Sequence, residues 1–344
     1  MLANVLVRPG EIELREIDTP SASAGEVVVR VRAALTCGTD LKTFLRGHPK
    51  FPLPMLFGHE FSGEIAQAGK GVKNFREGDA VMSVPSGPCG ECYYCKRGQE
   101  NICESAMANY ALGAYAEYIK VPAQVVSQNM FAKPDSLSYK EAALLEPLAC
   151  VLHGLSMITF HPEDTVVIIG AGAIGLLHML ALQVYGLHKI IVIGRKPYKL
   201  RLARELGAYI VIDATLGTTR AEVLEVTKGR GADVVIECTG QPSVWEASVN
   251  LVRRGGEVIF FGGCKQGTSV SFDTHRLHYD QITIRSPFHL TRSSVRQAYE
   301  LLTERKLNGN PLITGTYPLD RLNEVFALLQ QGNCIKYAVT PSGQ

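Results

Sequence analysis

At 344 residues the chain is long enough for two domains, and 46% hydrophobic against 20% charged residues is the composition of a folded globular protein, which excludes a disordered or collagen-like chain. A formal net charge of +2 sets up no strong field, so bulk charge calls for neither nucleic acid nor an anionic membrane as a partner. The opening MLANVLVRPGEIELREIDTP contains acids and an early proline and lacks an apolar core of about 7–15 residues; no secretory signal is expected, and the expected location is cytoplasmic.

From Glu26 to Asp79, short β-rich runs (VVVRVRAAL, EFSGEIAQAG) are punctuated by Gly, Pro and Asp, predicting a compact, mostly antiparallel β domain with little helical periodicity. Nine cysteines follow unevenly, four of them between Cys89 and Cys103, which in a cytosolic chain reads as metal binding before disulfides. Cys150, Cys238, Cys264 and Cys334 are expected to be packed thiols. After about Tyr139 the run KEAALLEPLACVLHGLSMI has helical spacing ahead of the strand TVVIIG, placing a domain boundary near residue 150. Val166 to Ile193 is the most apolar stretch, but its four glycines and two histidines suit a strand, turn and helix better than a membrane span.

From residue 165 to about 287, apolar strands (TVVIIG, KIIVIG, DVVIEC, EVIFFG) alternate with helical segments, predicting an α/β unit with a doubly wound parallel sheet. The strand from Glu257 to Gly262 is expected at a sheet edge that a second copy extends. The tail reads helix, helix, strand and is expected to return to the first domain. The expected division is a β-rich catalytic domain over 1–152 with a metal lobe at 86–104, a dinucleotide-binding domain over 153–287, and a return over 288–344.

Cys89-x2-Cys92-x2-Cys95-x7-Cys103 offers four thiolates on a glycine-containing loop, enough to close a tetrahedral structural zinc site. An iron–sulfur cluster fits less well, because the last gap is seven and Glu104, not proline, follows Cys103. Cys37 in CGTD, His59 and Glu60 in GHE, and Glu146 in LEPLAC supply thiolate, imidazole and carboxylate donors of the kind catalytic zinc accepts; a turn histidine and a loop-ending glutamate are the plainer reading of the same spacing.

Gly170-x-Gly172-x-x-Gly175 directly follows a strand and opens an apolar helix, the context in which a glycine pattern becomes a dinucleotide site with pyrophosphate at the helix N-terminus. At the end of the next strand, where an NAD site offers an acid to the ribose, stand Gly194, Arg195 and Lys196. Two cations and no carboxylate favour a 2′-phosphate, hence NADP over NAD, against the plainer reading of a basic helix start.

With CGTD, GHEFSGEI, the four-cysteine lobe, GAYAEYI, LEPLACVLHG, GAGAIG and KYAVTP, nearly the whole chain resembles the zinc-containing medium-chain dehydrogenases, in particular the sorbitol and threonine dehydrogenase branch. The resemblance implies a GroES-like catalytic domain and a Rossmann cofactor domain. It implies two zinc ions per chain, one structural and one catalytic, the latter on Cys37 and His59 with Glu60 or Glu146 completing the shell directly or through water. Thr39 matches the hydroxyl that receives the substrate proton. Ile174, Lys199, Phe261, Gly262, Gly263, Pro287, Phe288 and His289 match cofactor-facing or substrate-facing positions. Lys42, a catalytic candidate with Thr39 and Glu60, stands where many members carry a proton-relaying histidine; a lysine protonated at neutral pH relays poorly, so either burial near the zinc lowers its pKa or it contacts the cofactor while water carries the proton. The implied activity is hydride exchange between a secondary alcohol or polyol, or the corresponding ketone, and NADP, with NAD usable. The implied assembly is a homotetramer or homodimer. Oxidation of an amino alcohol such as threonine is the alternative reaction, and an NADP-binding protein without catalysis the alternative class.

Overall fold

The computed structural model describes residues 1–48 and 51–341. The chain forms two compact units, Met1–Cys150 with Leu290–Gln344 and, between them in sequence, Val151–His289. Strands of the first unit are β1 (Leu2–Arg8), β2 (Glu11–Glu16), β3 (Val27–Leu35), β4 (Met55–Leu56), β5 (Glu60–Ala68), β6 (Ala80–Ser83), β7 (Tyr118–Val121) and β8 (Met130–Ala132). The second unit holds β9 (Val166–Ile169), β10 (Ile190–Gly194), β11 (Ile210–Asp213), β12 (Ala232–Glu237), β13 (Val252–Phe260) and β14 (Thr283–Arg285), and the tail returns β15 (Ile313–Pro318) and β16 (Lys336–Thr340) to the first.

In the first unit β3 is central. Its run of valines is buried on both faces, as β-branched residues in a covered strand are. It pairs antiparallel with β5, β7 and β16, while β15 joins β16 in parallel, so the sheet is mostly antiparallel. Phe57, Phe61, Tyr115 and Phe326 fill the core beneath, with Phe326 centred 5.1 Å from Phe44 and 5.5 Å from Phe57. Phe44 belongs to a helix, Gly38–Arg46, where little helical periodicity is expected from sequence. At nine residues it is too short for its pattern to stand out, and it is held by its cap, described below.

In the second unit all neighbouring strands are parallel in the order β11-β10-β9-β12-β13-β14, the doubly wound arrangement. β13 lies between β12 and β14, which corrects the expectation of an edge at Glu257–Gly262: the strand TIR beyond it, too short and polar to register in the sequence pattern, covers that edge. The tail contains the expected helices Arg292–Thr303 and Leu322–Gln331 and strand β16; β15 is an addition. No helix among the described residues is long and apolar enough to cross a membrane.

The glycine turn follows β9, where strand order reverses. Gly170 has φ +112, and a Cβ at Gly175 would lie 2.0 Å from the Gly170 carbonyl oxygen, so the helix Ala173–Val184 can sit this close only without a side chain there. Gly175→Ala should therefore cost about 1–3 kcal/mol or more of stability, read as a lower Tm, because the clash is with backbone. Gly172→Ala, whose Cβ would meet no atom within 4 Å, should leave Tm unchanged; equal loss in both variants would contradict this division.

Candidate active site

The register of β3 assembles the first cluster. Leu35 lies opposite Glu60 on β5 and opposite Ala338 on β16, so Cys37, just past β3, meets His59, just before β5, and Lys336 at the start of β16. Cys37 caps the helix Gly38–Arg46: its Sγ accepts the Thr39 N–H at 3.4 Å, and Asp40 Oδ2 accepts the Cys37 N–H at 3.3 Å. Gly58 has φ +89, and a Cβ there would lie 2.8 Å from the Tyr115 ring, so this glycine sets the turn that presents His59.

Asp40 organises the donors. Its carboxylate takes the Tyr115 hydroxyl at 2.6 Å and lies 3.1 Å from His59 Nδ1, which leaves Nε2 to face a ligand, as in carboxylate–histidine–metal triads. Burial disfavours the His59 imidazolium, yet Tyr110 and Asp40 pull the ring's pKa well above its usual value; a metal taking the ring would displace that proton. Glu60 is 0% exposed and accepts a hydrogen bond from Lys336, itself 2% exposed and donating also to the Thr36 carbonyl at 2.6 Å. Burial pushes the Glu60 carboxyl up to about 7, with Lys336 pulling the other way.

Donor atoms of Cys37, His59 and Glu60 lie within 4.8 Å of one another. Glu60 Oε1 is buried without a hydrogen-bond partner, a cost that a cation beside it would remove. Thiolate, imidazole and carboxylate form a catalytic-zinc donor set, so the residues fit the metal. Glu146 stands outside this cluster but close enough to raise the Glu60 pKa, and it accepts from the Cys150 thiol at 3.4 Å. Cys150 is thus bound to the site's acid as well as packed. Thr39 and Lys42 are exposed on the capped helix.

The four-cysteine lobe is a second donor set. Cys89, Cys92, Cys95 and Cys103 converge within 4.8 Å, with sulfur pairs Cys89–Cys95 and Cys92–Cys103 each 3.9 Å apart. A tetrahedron with Zn–S of about 2.3 Å has edges of about 3.8 Å, which these match. Burial alone would raise Cys103, but hydrogen bonds from Ser105 and the Cys89 amide bring it down to about 6, while burial sends Cys95 up to about 12. Four adjacent thiols do not ionise together unaided, and a dication that takes all four as thiolates resolves the conflict. Arg292 ties the lobe to the tail, donating from its backbone and side chain to Glu100.

In the second unit the candidates gather at the C-terminal ends of the strands. Gly172 caps the helix containing Ile174, and Gly194 ends β10 with its Cβ position 3.0 Å from Ala171 and Leu200. Arg195 and Lys196 are exposed ahead of the helix Pro197–Glu205, which carries Lys199 near the Tyr198 ring. Phe261 packs edge-on to His178, and Phe261 and Pro287 flank Gly154. Phe288 is exposed with its ring 5.8 Å from that of His289, whose φ is +62. Gly262 could take no side chain, because Gly240 N would lie 2.3 Å from its Cβ, whereas Gly172 and Gly263 face open space. Glycines that the fold does not require leave backbone bare for a dinucleotide to approach, so the turn fits that cofactor.

Asp40, Tyr115, Lys336 and the fully buried Glu237 are absent from the sequence-level candidates. Glu237 Oε1 accepts the Thr239 amide at 2.6 Å and the Gly240 amide at 3.1 Å, shaping the turn after β12. Asp40 and Lys336 lie in the motifs CGTD and KYAVTP, but the sequence does not show what they touch.

Residues 23–132 match the family described as alcohol dehydrogenase GroES-like domain, and residues 173–304 match that described as zinc-binding dehydrogenase. The chain is 31% identical to the sorbitol dehydrogenase of Bacillus subtilis (strain 168), covering 99% of this chain and 98% of the relative. It is likewise 31% identical to the L-threonine 3-dehydrogenase of Pyrococcus horikoshii, covering 96% of each. A Sinorhizobium meliloti 1021 protein, crystallised with NADP and described there provisionally as a zinc-binding dehydrogenase, superposes with TM-score 0.89 at 30% identity over 99% of both chains. The chain belongs to the zinc-dependent medium-chain alcohol dehydrogenases, in the branch of the sorbitol and threonine dehydrogenases. It is an oxidoreductase of the alcohol and polyol dehydrogenase type.

Metal analysis of the purified protein should find two zinc ions per chain. Cys92→Ser should lose one of them and lower Tm, whereas Cys37→Ser should lose the other with Tm nearly unchanged. A single zinc in the wild type, or the same loss of folding in both variants, would contradict two separate sites.

Proposed function

We propose that this enzyme exchanges hydride between a secondary alcohol or polyol and NADP, which it prefers to NAD. The observation that carries the cofactor choice is the end of β10, where Gly194 replaces a ribose-binding acid and the exposed Arg195 and Lys196 take no protein partner among the described residues. The NADP bound to the Sinorhizobium meliloti protein supports the same choice. We assign residues 1–152 with 288–344 the catalytic role and residues 153–287 the dinucleotide. In the latter, Gly170, Gly172, Ile174, Gly175 and Lys199 are assigned to the phosphates and ribose, and Phe261, Gly262, Gly263 and Pro287, with Phe288 and His289 just beyond its end, to the nicotinamide and substrate.

Cys37 and His59, with Glu60 or Glu146, would hold a zinc ion supplying Lewis acidity toward the substrate oxygen. Asp40 fixes the ring of His59, and Lys336 holds Glu60 in place. Thr39, whose backbone is anchored on the Cys37 sulfur, presents its hydroxyl to accept a hydrogen bond from the substrate O–H, and the dinucleotide, when bound, would supply the hydride acceptor. Lys42 lies one turn further along the same helix face and is assigned to the cofactor, since its charge suits phosphate better than proton relay. Nine cysteines with no disulfide among them support a reducing, cytoplasmic setting, and the outer edge of β14 supports a homo-oligomer built through that strand.

The ratio of kcat/KM for NADP over NAD tests the cofactor reading: it should exceed one, and Arg195→Ala with Lys196→Ala should lower it by about one to three orders of magnitude. A wild-type ratio at or below one would overturn it. Thr39→Val should reduce kcat by about 10²–10⁴-fold with little change in cofactor Kd, and near-normal turnover would remove Thr39 from the proton path.

A further inference from the structure

The second unit contains a cleft of about 480 Å³ that the hydride chemistry does not use. It lies at the N-terminal ends of β12 and β13, whereas the glycine turn lies at the C-terminal end of β9. Six residues of a parallel strand span about 20 Å, so the two places are at opposite ends of the strands.

Five arginines line the cleft: Arg220, Arg230, Arg253, Arg254 and Arg276. Two carboxylates answer them. Asp233 takes Arg253 at 2.5 Å and Arg230 at 3.3 Å, and Asp280 takes Arg254 at 2.9 Å and Arg276 at 2.7 Å. Three positive charges remain in excess around one cleft, more than the +2 of the whole 344-residue chain. Arg220 takes no protein partner among the described residues.

The arginines differ in freedom. Arg276 is fixed by the Val249 carbonyl at 3.0 Å, the Val252 carbonyl at 2.6 Å and Asp280; Arg253 is fixed by Asp233 and the Arg254 carbonyl at 2.7 Å. Their side chains are 25% and 30% exposed. Arg230 and Arg254 stand at the rim, 57% and 86% exposed, with most of their donors unused. Two oriented guanidinium groups in the wall and three adaptable ones at the mouth suit an anion with several charged oxygens, and the volume is that of a small-molecule site.

We propose that this cleft binds a polyphosphate chain, either free or as the phosphate tail of a nucleotide, at a site separate from the cofactor turn. The test is calorimetric titration of the full chain at low salt with sodium tripolyphosphate and, in a second arm, with adenosine 5′-triphosphate. Wild type should bind tripolyphosphate, with affinity falling as salt rises. Arg220→Ser with Arg254→Ser should weaken it by about 10- to 100-fold, while Arg195→Ser with Lys196→Ser should leave this event in place. Comparable affinity for both ligands marks the phosphates alone as recognised; tighter binding of the nucleotide adds its base and sugar. Absence of binding, or binding lost only in the Arg195/Lys196 variant, would overturn the proposal without touching the cofactor assignment. If the double variant fails to fold, Arg220→Glu alone, at an exposed and unpartnered position, provides the same comparison.

Discussion

The antiparallel register at Leu35 is the constraint from which the proposed metal-binding face follows. Opposite this one residue stand Glu60 on one side and Ala338 on the other, so residues 37, 59, 60 and 336 converge although they are separated by up to 300 positions. A one-residue slip would turn every side chain of β5 to the other face and withdraw Glu60 from Lys336. The buried pair works against such slippage, because a lone carboxylate or ammonium in that position would cost several kcal/mol. Register and ion pair therefore support each other.

Around that pair the donors are held from behind. Asp40 accepts from the Cys37 amide and the Tyr115 hydroxyl and faces the ring of His59, so one carboxylate orients both the thiolate loop and the imidazole. The helix Gly38–Arg46 exists in part to make this possible. Cys37 and Asp40 form its capping box, so the sulfur proposed to hold zinc is also the helix cap.

The second unit separates its requirements in another way. Gly170 and Gly175 are demanded by the fold, through a positive φ and a backbone approach of 2.0 Å, whereas Gly172 and Gly263 are demanded by nothing in the protein. Gly194 combines both conditions: crowding by Ala171 and Leu200 disfavours a side chain, and the missing acid leaves Arg195 and Lys196 to set the charge. At the opposite ends of the same strands, arginines from the helix Thr219–Val226, the start of β13 and the helix Thr274–Tyr279 meet only because the strands are parallel.

Local sequence was sufficient wherever the physics is local. The four-cysteine lobe, the glycine turn after an apolar strand and the alternation of strand and helix all act over fewer than about 40 residues, and each was legible from spacing and period. The helix at Gly38–Arg46 was not, being shorter than three turns, nor was β14, whose three residues carry no pattern. Asp40 and Lys336 were visible as letters within motifs, but their roles depend on strand register, which hydrogen bonding between distant segments decides and single-sequence periodicity does not encode. The arginine cleft was invisible for the same reason: its five residues are spread from 220 to 276 among acids that nearly cancel them in composition, and only tertiary packing separates the charges in space.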